Sequence, residues 1–309
     1  MSAKEAQAIL FGLALGDALG APTEFMNLAT IKDTFGAQGI QELPQPALYT
    51  DDTQMTLALA EGLIEAGEAD VDALMAAIGR HFVYWSHSPE NNRAPGQACL
   101  TGVRNFEQGT SWREAGVAQS KGCGAAMRVA PIGYLYQHDV VRLREVATAS
   151  SLITHRHDAA LAASVGAAYL IKLALDGADP QTYLHRLFEF TDGLSEDFEQ
   201  ALRRVGHVLG WGDEVAAMRH IGEGWVAEEA VALALYCVLR YPNDYMAVVR
   251  RGATSNGDSD SIACIAGGIA GALLGLEAIP VDWRRRCENH DYLIDSAARL
   301  AVKQISLQG

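Results

Sequence analysis

Residues 159–170 read AALAASVGAAYL, a run rich in alanine. Alanine is the strongest helix former, whereas a strand would contain more β-branched and aromatic residues. The run therefore predicts a helix, and alternating strand patterns are scarce elsewhere in the chain. Apolar residues recur at helical spacing over residues 6–19, 55–66, 71–85, 143–153, 159–175, 181–190, 198–209, 227–240, 262–276 and 292–304. We predict an all-α fold.

The chain is predicted to form a single compact domain over residues 1–309. Its 9 prolines never gather with glycine and serine into a linker, and with 49% hydrophobic residues it can bury a large core. Each glycine in an exposed helix costs roughly 1 kcal/mol relative to alanine, so glycines repeated every four residues suggest closely packed helix backbones. Two predicted helices carry such repeats, at Gly12, Gly16 and Gly20 and at Gly267, Gly271 and Gly275.

The charge balance excludes several classes of partner. There are 24 Lys and Arg against 38 Asp and Glu, a formal net charge of −14. Because duplex nucleic acids and anionic membranes are bound mainly by clustered cations, we expect neither as a partner. No export signal is visible, and the apolar run 262–276 is short for a membrane span. Five widely spaced cysteines without a C-x-x-C pair predict reduced thiols, and we expect a cytoplasmic monomer.

Two acidic clusters each precede an apolar helix. The first, residues 49–54, reads YTDDTQ. It has a purely structural interpretation, because Thr50 is a natural N-cap and Asp51 and Asp52 would complement the positive end of the helix dipole. On that interpretation alone, the cluster would have no catalytic or metal-binding role.

The second cluster, residues 256–261, reads NGDSDS and leads into an almost wholly apolar helix. A cap needs one or two acceptors, whereas this segment offers two carboxylates and two hydroxyls, and buried carboxylates are costly unless they are paired. A cation is the natural partner, and oxygen ligands favour Mg²⁺, Mn²⁺ or Ca²⁺ over zinc or copper. Four carboxylates could hold two metals, as in many hydrolases.

Four segments together resemble the ADP-ribosylglycohydrolase family, which includes the dinitrogenase-reductase-activating glycohydrolases and the ADP-ribosyl-acceptor hydrolases. They are GLALGDALGAPTEF (12–25), TDDT (50–53), GCGAAMRVAP (122–131) and GDSDS (257–261). The resemblance implies an all-α protein whose central cleft holds two Mg²⁺ or Mn²⁺ ions. It also implies hydrolysis of the bond between the anomeric carbon of ADP-ribose and a modified acceptor.

The same resemblance assigns residues to roles. The metal ligands it implies are Thr50, Asp51, Asp52, Asp258, Asp260 and Ser261. The catalytic group it implies is Glu24, which either gates the cleft or activates the attacking water, together with the metal-bound Asp52 and Asp258. Serines at 259 and 261 replace the usual threonines and keep the oxygen atom. Taken alone, Glu24 could merely begin a surface loop, and the buried Asp17 could only tie helices together.

Substrate contacts are implied on three further segments. The glycine-rich loop would wrap ADP-ribose through its backbone amides, and exposed N–H groups suit phosphate; its residues are Ser120, Lys121, Gly122, Cys123 and Gly124. Cys123 stands where the family often has asparagine. Gly96 would allow close approach of the backbone, and His155 would lie near the phosphates, although a histidine beside a helix start can also be a cap.

The sequence leaves three functional hypotheses. The first is a metal-dependent hydrolase of ADP-ribosyl-arginine on protein, or else of ADP-ribosyl-serine or a small ADP-ribose conjugate. The second is a non-catalytic protein that binds ADP-ribose. The third is a structural helical protein whose acidic clusters are only helix caps, which predicts no response to Mg²⁺ or Mn²⁺.

Overall fold

The computed structural model describes residues 3–307, and this part of the chain folds into sixteen α-helices with three isolated β-bridges in place of strands. The helices are α1 (Ala3–Gly20), α2 (Leu28–Phe35), α3 (Asp51–Ala66), α4 (Val71–Ser86), α5 (Gln97–Glu107), α6 (Ala130–Leu135), α7 (Val140–Leu152), α8 (Asp158–Leu175), α9 (Tyr183–Thr191), α10 (Glu196–Val208), α11 (Glu214–Ile221), α12 (Ala227–Arg240), α13 (Tyr245–Ala253), α14 (Ser259–Leu274), α15 (Val281–Arg286) and α16 (His290–Ser306). The all-α prediction is confirmed.

All ten predicted helical stretches coincide with helices, namely α1, α3, α4, α7, α8, α9, α10, α12, α14 and α16. The main differences lie at their ends. Helix α3 begins at Asp51 rather than at residue 55, and α14 begins at Ser259 rather than at residue 262. Both acidic clusters therefore stand at the first turn of a helix.

Helices α1 and α14 form the centre of the fold and pack backbone to backbone. A Cβ atom added to Gly12 would lie 2.4 Å from the Gly267 carbonyl oxygen, and one added to Gly16 would lie 2.1 Å from that of Ala263. The predicted close packing is thus confirmed. Gly275 is an exception: it lies just past the end of α14 at φ +77° with open space around it. It terminates the helix, as glycine commonly does at this position.

Neighbouring glycines of α14 should respond differently to alanine. At Gly267 the added Cβ would lie 2.2 Å from the Gly12 carbonyl oxygen, whereas at Gly268 its nearest neighbour would be the Leu13 Cβ at 3.4 Å. We expect Gly267→Ala to lower the free energy of unfolding by about 1–3 kcal/mol through overpacking. Gly268→Ala should be neutral or stabilising, because alanine favours the helix. Urea denaturation of both variants tests this, and equal effects would contradict it.

Helix α8 is long and apolar enough to cross a membrane, yet 78% of that stretch is buried inside the protein. It packs against α6, α7, α12 and α14. Helix α14, predicted to be a buried helix, is buried from Ser259 to Gly271. These two helices form the wall behind the site described next.

Candidate active site

The acidic residues at the starts of α3 and α14 meet in a cleft of about 310 Å³, here called the central cleft. Asp51 and Asp52 open α3, and both are at most 6% exposed. Asp258 precedes α14 and Asp260 lies in its first turn, at 5% and 2% exposure. Asp258 makes no side-chain cap hydrogen bond. Capping therefore does not explain the second cluster.

Asp17 of α1 organises the start of α3. Its carboxylate accepts hydrogen bonds from the backbone N–H of Thr50 at 2.9 Å and from the backbone N–H and hydroxyl of Thr53 at 3.0 and 2.6 Å. Burial raises its pKa to about 7, and the charge of Asp260 adds to this. The Thr50 hydroxyl accepts the N–H of Asp52 at 3.4 Å, so the predicted cap is present. The role of Thr50 as a metal ligand stays a prediction.

Burial and mutual repulsion control the titration of the acidic cluster. Burial raises the pKa of Asp51, Asp52 and Asp258 well above the usual range, and the charge of Asp260 is the next largest cause. The same two causes raise the pKa of Glu24 to about 10. Divalent cations among these groups would lower all of these pKa values again, because opposite charge favours the ionised form.

The donor set fits hard divalent cations. One carboxylate oxygen of Asp52, Oδ2, is buried without a hydrogen-bond partner, which is costly for an ionised group. Among the described residues that line the cleft there is no lysine or arginine to balance the carboxylates. Carboxylates and the hydroxyl of Ser261 are oxygen ligands, which suit Mg²⁺ or Mn²⁺.

A separate acidic set lies outside the cleft. The ligand atoms of His157, Asp158 and Asp197 lie within 4.8 Å of one another. They have protein partners already: the His157 ring accepts the N–H of Ala159 at 3.2 Å, and Lys121 pairs with Asp197 at 2.8 Å. Helix capping and ion pairing account for this set without a metal.

Glu24 lies half-buried on the loop after α1. Its N–H donates to the Gly20 carbonyl at 3.1 Å, and the neighbouring Thr23 hydroxyl lies 2.9 Å from that of Ser259. Ser259 therefore ties this loop to α14 rather than facing the cleft. Thr23 and Ser259 are both buried, so their contact fixes the loop against α14. The Glu24 side chain lines the central cleft beside the acidic cluster.

Glycine-rich segments form part of the opposite wall of the cleft. The N–H of Gly96 donates to Asp51 Oδ2 at 3.3 Å. A Cβ atom added to Gly124 would lie 2.5 Å from Cys99 Sγ, so this loop position has no space for a side chain. The wall thus combines closely packed backbone at Gly96, Gly122 and Gly124 with side chains such as those of Cys123 and His155, and the backbone N–H groups of such a loop suit phosphate.

Lys121 belongs to this loop, but its side chain faces away from the cleft. Its Nζ atom lies 2.8 Å from Asp197 and 2.7 Å from Glu228, and its carbonyl accepts the N–H of Ala227 at 2.7 Å. Two carboxylates thus hold the ammonium group in the wall. A contact of Lys121 with substrate stays a prediction, and it would have to use the backbone.

Arg128 is fully buried and holds the glycine loop in place. Its Nη1 donates to the Gly124 carbonyl at 3.0 Å, and its Nη2 donates to the Ser150 carbonyl at 3.0 Å and to Thr154 Oγ1 at 2.8 Å. The guanidinium lies 4.5 Å from the centre of the Phe82 ring. Burial lowers its pKa to about 10, so it stays charged at neutral pH.

The Thr154 hydroxyl contacts the His155 ring and favours one of its tautomers. Its oxygen accepts from Arg128, so its own proton can go to His155 Nδ1 at 2.8 Å or to the Ser151 carbonyl at 3.4 Å. Donation to the nearer acceptor, Nδ1, would leave the ring proton on Nε2, which is the tautomer we predict. Burial, helped by the charge of Arg128, lowers the pKa of His155 to about 3. His155 is therefore a neutral ring on the cleft wall, rather than a cap.

Cys123 contacts the acidic cluster directly. Its thiol donates to Asp258 Oδ2 at 2.7 Å and lies 3.4 Å from Ser261 Oγ. Burial raises the pKa of this thiol well above its usual value. The cysteine is therefore a protonated hydrogen-bond donor to the cluster and not a nucleophile.

The structure brings together most of the predicted site. The predicted residues that line the central cleft are Glu24, Asp51, Asp52, Gly96, Ser120, Gly122, Cys123, Gly124, His155, Asp258, Asp260 and Ser261. Thr50 and Lys121 lie behind this lining. Sequence reasoning missed the part played by Arg128, whose signal was a lone arginine inside an apolar motif, and that of Phe25, which stands next to Glu24.

Comparison with known proteins identifies similar chains over nearly the full length. The family model for ADP-ribosylglycohydrolase matches residues 2–308. The chain is 28% identical to the ADP-ribosylhydrolase ARH3 of Bos taurus, over 96% of this chain and 93% of that one. It is 26% identical to the ADP-ribosylarginine hydrolase Tri1 of Pseudomonas putida, over 90% and 72%. A solved structure described as an ADP-ribosylglycohydrolase-related protein complex matches with a TM-score of 0.75 and 26% identity, over 98% of both chains.

Proposed function

Since the chain belongs to the ADP-ribosylglycohydrolase family, we propose that it hydrolyses ADP-ribosyl-arginine on protein, using two Mg²⁺ or Mn²⁺ ions. The observation that carries the proposal is the cluster of buried carboxylates from two helix starts, which faces a wall of glycine backbone across one cleft. Carboxylates suit the metals, and backbone N–H groups suit the diphosphate of ADP-ribose.

Each wall has its own task in this proposal. Metal ions, when bound, supply Lewis-acid polarisation of water and of ribose oxygens. Asp51, Asp52, Asp258 and Asp260 would hold them. Glu24, ionised once the cations lower its pKa, would accept the proton of the attacking water as the water oxygen bonds to the anomeric carbon and the acceptor leaves with the electron pair of the broken bond. This differs from metal-free glycosidases, where two carboxylates flank the bond.

On the other side of the cleft, the protein binds and orients ADP-ribose. Gly122 and Gly124 let the backbone approach the ligand, and His155 donates from Nε2 without adding charge. Because the His155 pKa is about 3, its donor role should not change between pH 5 and pH 8. The Cys123 thiol keeps Asp258 oriented through its hydrogen bond.

Arginine is the proposed acceptor because one relative over most of this chain is named an ADP-ribosylarginine hydrolase. We also propose that the protein works in the cytoplasm as a monomer. All five cysteines are free thiols in the structure, which supports a reducing compartment.

A release assay tests the proposal. We expect free ADP-ribose from an ADP-ribosyl-arginine peptide in the presence of Mg²⁺ or Mn²⁺, none in EDTA, and slower release from the matched ADP-ribosyl-serine peptide. Chromatography of the released nucleotide measures each rate. Faster release from the serine peptide would overturn the acceptor assignment, and binding without release from either peptide would favour the non-catalytic protein.

A further inference from the structure

A second cavity adjoins the central cleft. This side cavity has a volume of about 470 Å³ and lies between the loop after α1 and the loop after α11. Phe25 and Trp225 line both cavities, with ring centroids 5.4 Å apart and an interplanar angle of 22°. The two cavities thus share a stacked aromatic pair in their walls.

Phe25 is positioned by the backbone of its loop rather than by burial of its side chain. Phe25 is 70% exposed, yet its φ of +64° lies in the left-handed region that bulky residues rarely adopt. Its loop is fixed by the Met26 N–H, which donates to Thr23, and by the Leu28 N–H, which donates to Asn256 Oδ1 at 2.7 Å. A strained backbone conformation at a residue whose side chain is exposed is typical of a functional position.

Trp225 lies against the segment that precedes α14. A Cβ atom added to Gly257 would lie 2.9 Å from Trp225 Nε1, and one added to Gly224 would lie 3.4 Å from the Asp258 Cβ. The Asp258 N–H donates to the Glu223 carbonyl at 3.0 Å. The backbone just before Trp225 is therefore hydrogen-bonded to that of Asp258, a member of the acidic cluster.

We infer that the side cavity is the acceptor subsite, in which the guanidinium of ADP-ribosyl-arginine lies against the Phe25–Trp225 pair with Glu223 as its counter-charge. The inference rests on the proposed function. In the proposed function, the anomeric carbon lies beside Glu24 and the acidic cluster, and the glycine-rich wall binds the rest of ADP-ribose. The acceptor must then leave past Phe25, which directly follows Glu24.

The chemistry of the side cavity suits this occupant. A planar guanidinium stacks on aromatic rings and pairs with a carboxylate. Glu223 lines the cavity with an exposed side chain. Arg219 also lines it and carries the same charge as the acceptor, so its removal should not weaken binding of the arginine conjugate. This makes Arg219 the matched control for Glu223.

The test compares substrates and free ADP-ribose in the full-length protein. Trp225→Ala should raise KM for an ADP-ribosyl-arginine peptide about 10-fold, with Trp225→Phe close to the wild type, because a cation–π contact needs the ring. Glu223→Gln should raise KM several-fold and Arg219→Gln should not raise it. The Kd of free ADP-ribose, from calorimetry, should stay within about twofold in all four variants.

Two outcomes overturn the inference. An equal loss of free ADP-ribose affinity in Trp225→Ala would place Trp225 in the ADP-ribose subsite, and equal losses on the serine peptide would exclude recognition of arginine. Failure of the proposed function is distinguishable, because it appears in the wild type as absence of release. If the wild type releases no ADP-ribose, calorimetry in EDTA still tests the acceptor subsite. The wild type should bind the ADP-ribosyl-arginine peptide more tightly than free ADP-ribose, and Trp225→Ala should remove that difference.

Discussion

Replacement of Asp258 by alanine should reduce ADP-ribose release on the order of 10³-fold, because the loss of a metal ligand removes several kcal/mol of transition-state stabilisation. The fold should persist. Asp258 makes no cap hydrogen bond to α14, and its removal relieves repulsion with Asp260, which is among the causes that raise the pKa of Asp258. We expect unfolding at the same or a higher denaturant concentration than the wild type in the absence of metal.

A second helix-start aspartate provides the control. Asp244 caps α13 by accepting the N–H of Ala247 at 3.0 Å, and it is exposed. Asp244→Ala should lower the free energy of unfolding by about 1 kcal/mol and leave release unchanged. Mg²⁺ should raise the Tm of the wild type and of Asp244→Ala, since a ligand of the folded state stabilises it, but raise that of Asp258→Ala much less. Full activity of Asp258→Ala in excess Mg²⁺ would exclude the assignment.

Periodicity was sufficient for every helix of 13 or more residues and, among the shorter ones, only for α9. Six helices of six to eleven residues were not predicted, namely α2, α5, α6, α11, α13 and α15. Helix α5 buries only Cys99, Gly102 and Val103, which is too few apolar positions to define a period. The glycine repeats were more informative, because they predicted close backbone packing and the structure shows it between α1 and α14.

The parts of the site that sequence could indicate are those with local patterns. Two acidic helix starts and a glycine-rich loop are visible as motifs, so their residues could be named from the order of amino acids alone. The side cavity could not, because Phe25 and Trp225 are 200 positions apart and meet only through the loops that carry them. The direction of the Lys121 side chain likewise depends on Asp197 and Glu228, which belong to α10 and α12.

Arg128→Met should weaken both the fold and the binding of ADP-ribose. Removal of the guanidinium takes a donor from the carbonyls of Gly124 and Ser150 and from Thr154 Oγ1. Each carbonyl left unsatisfied costs about 1–3 kcal/mol, whereas Thr154 Oγ1 keeps His155 Nδ1 as a neighbour. Part of this free energy is regained, because the variant no longer buries a charged group; the lowered pKa of Arg128 shows that burial disfavours its charge. We expect a net loss of about 2–4 kcal/mol in urea denaturation and about 10-fold weaker ADP-ribose binding by calorimetry.

The binding loss has a specific cause that a general loss of stability would not reproduce. With Arg128 present, one acceptor site of Thr154 Oγ1 is occupied, which favours donation from this hydroxyl to His155 Nδ1. Without Arg128 we expect Oγ1 to accept from Nδ1 and to donate to the Ser151 carbonyl. The ring proton would then lie on Nδ1, and Nε2 would present a lone pair to the phosphates. ¹⁵N NMR of the imidazole should report Nε2–H in the wild type and Nδ1–H in Arg128→Met. Arg144 lies 4.5 Å over the Phe190 ring, the same stacking distance as Arg128 over Phe82, but it does not line the central cleft. Arg144→Met should leave the tautomer and the ADP-ribose affinity unchanged. An unaltered tautomer in Arg128→Met would contradict the role assigned to this buried arginine.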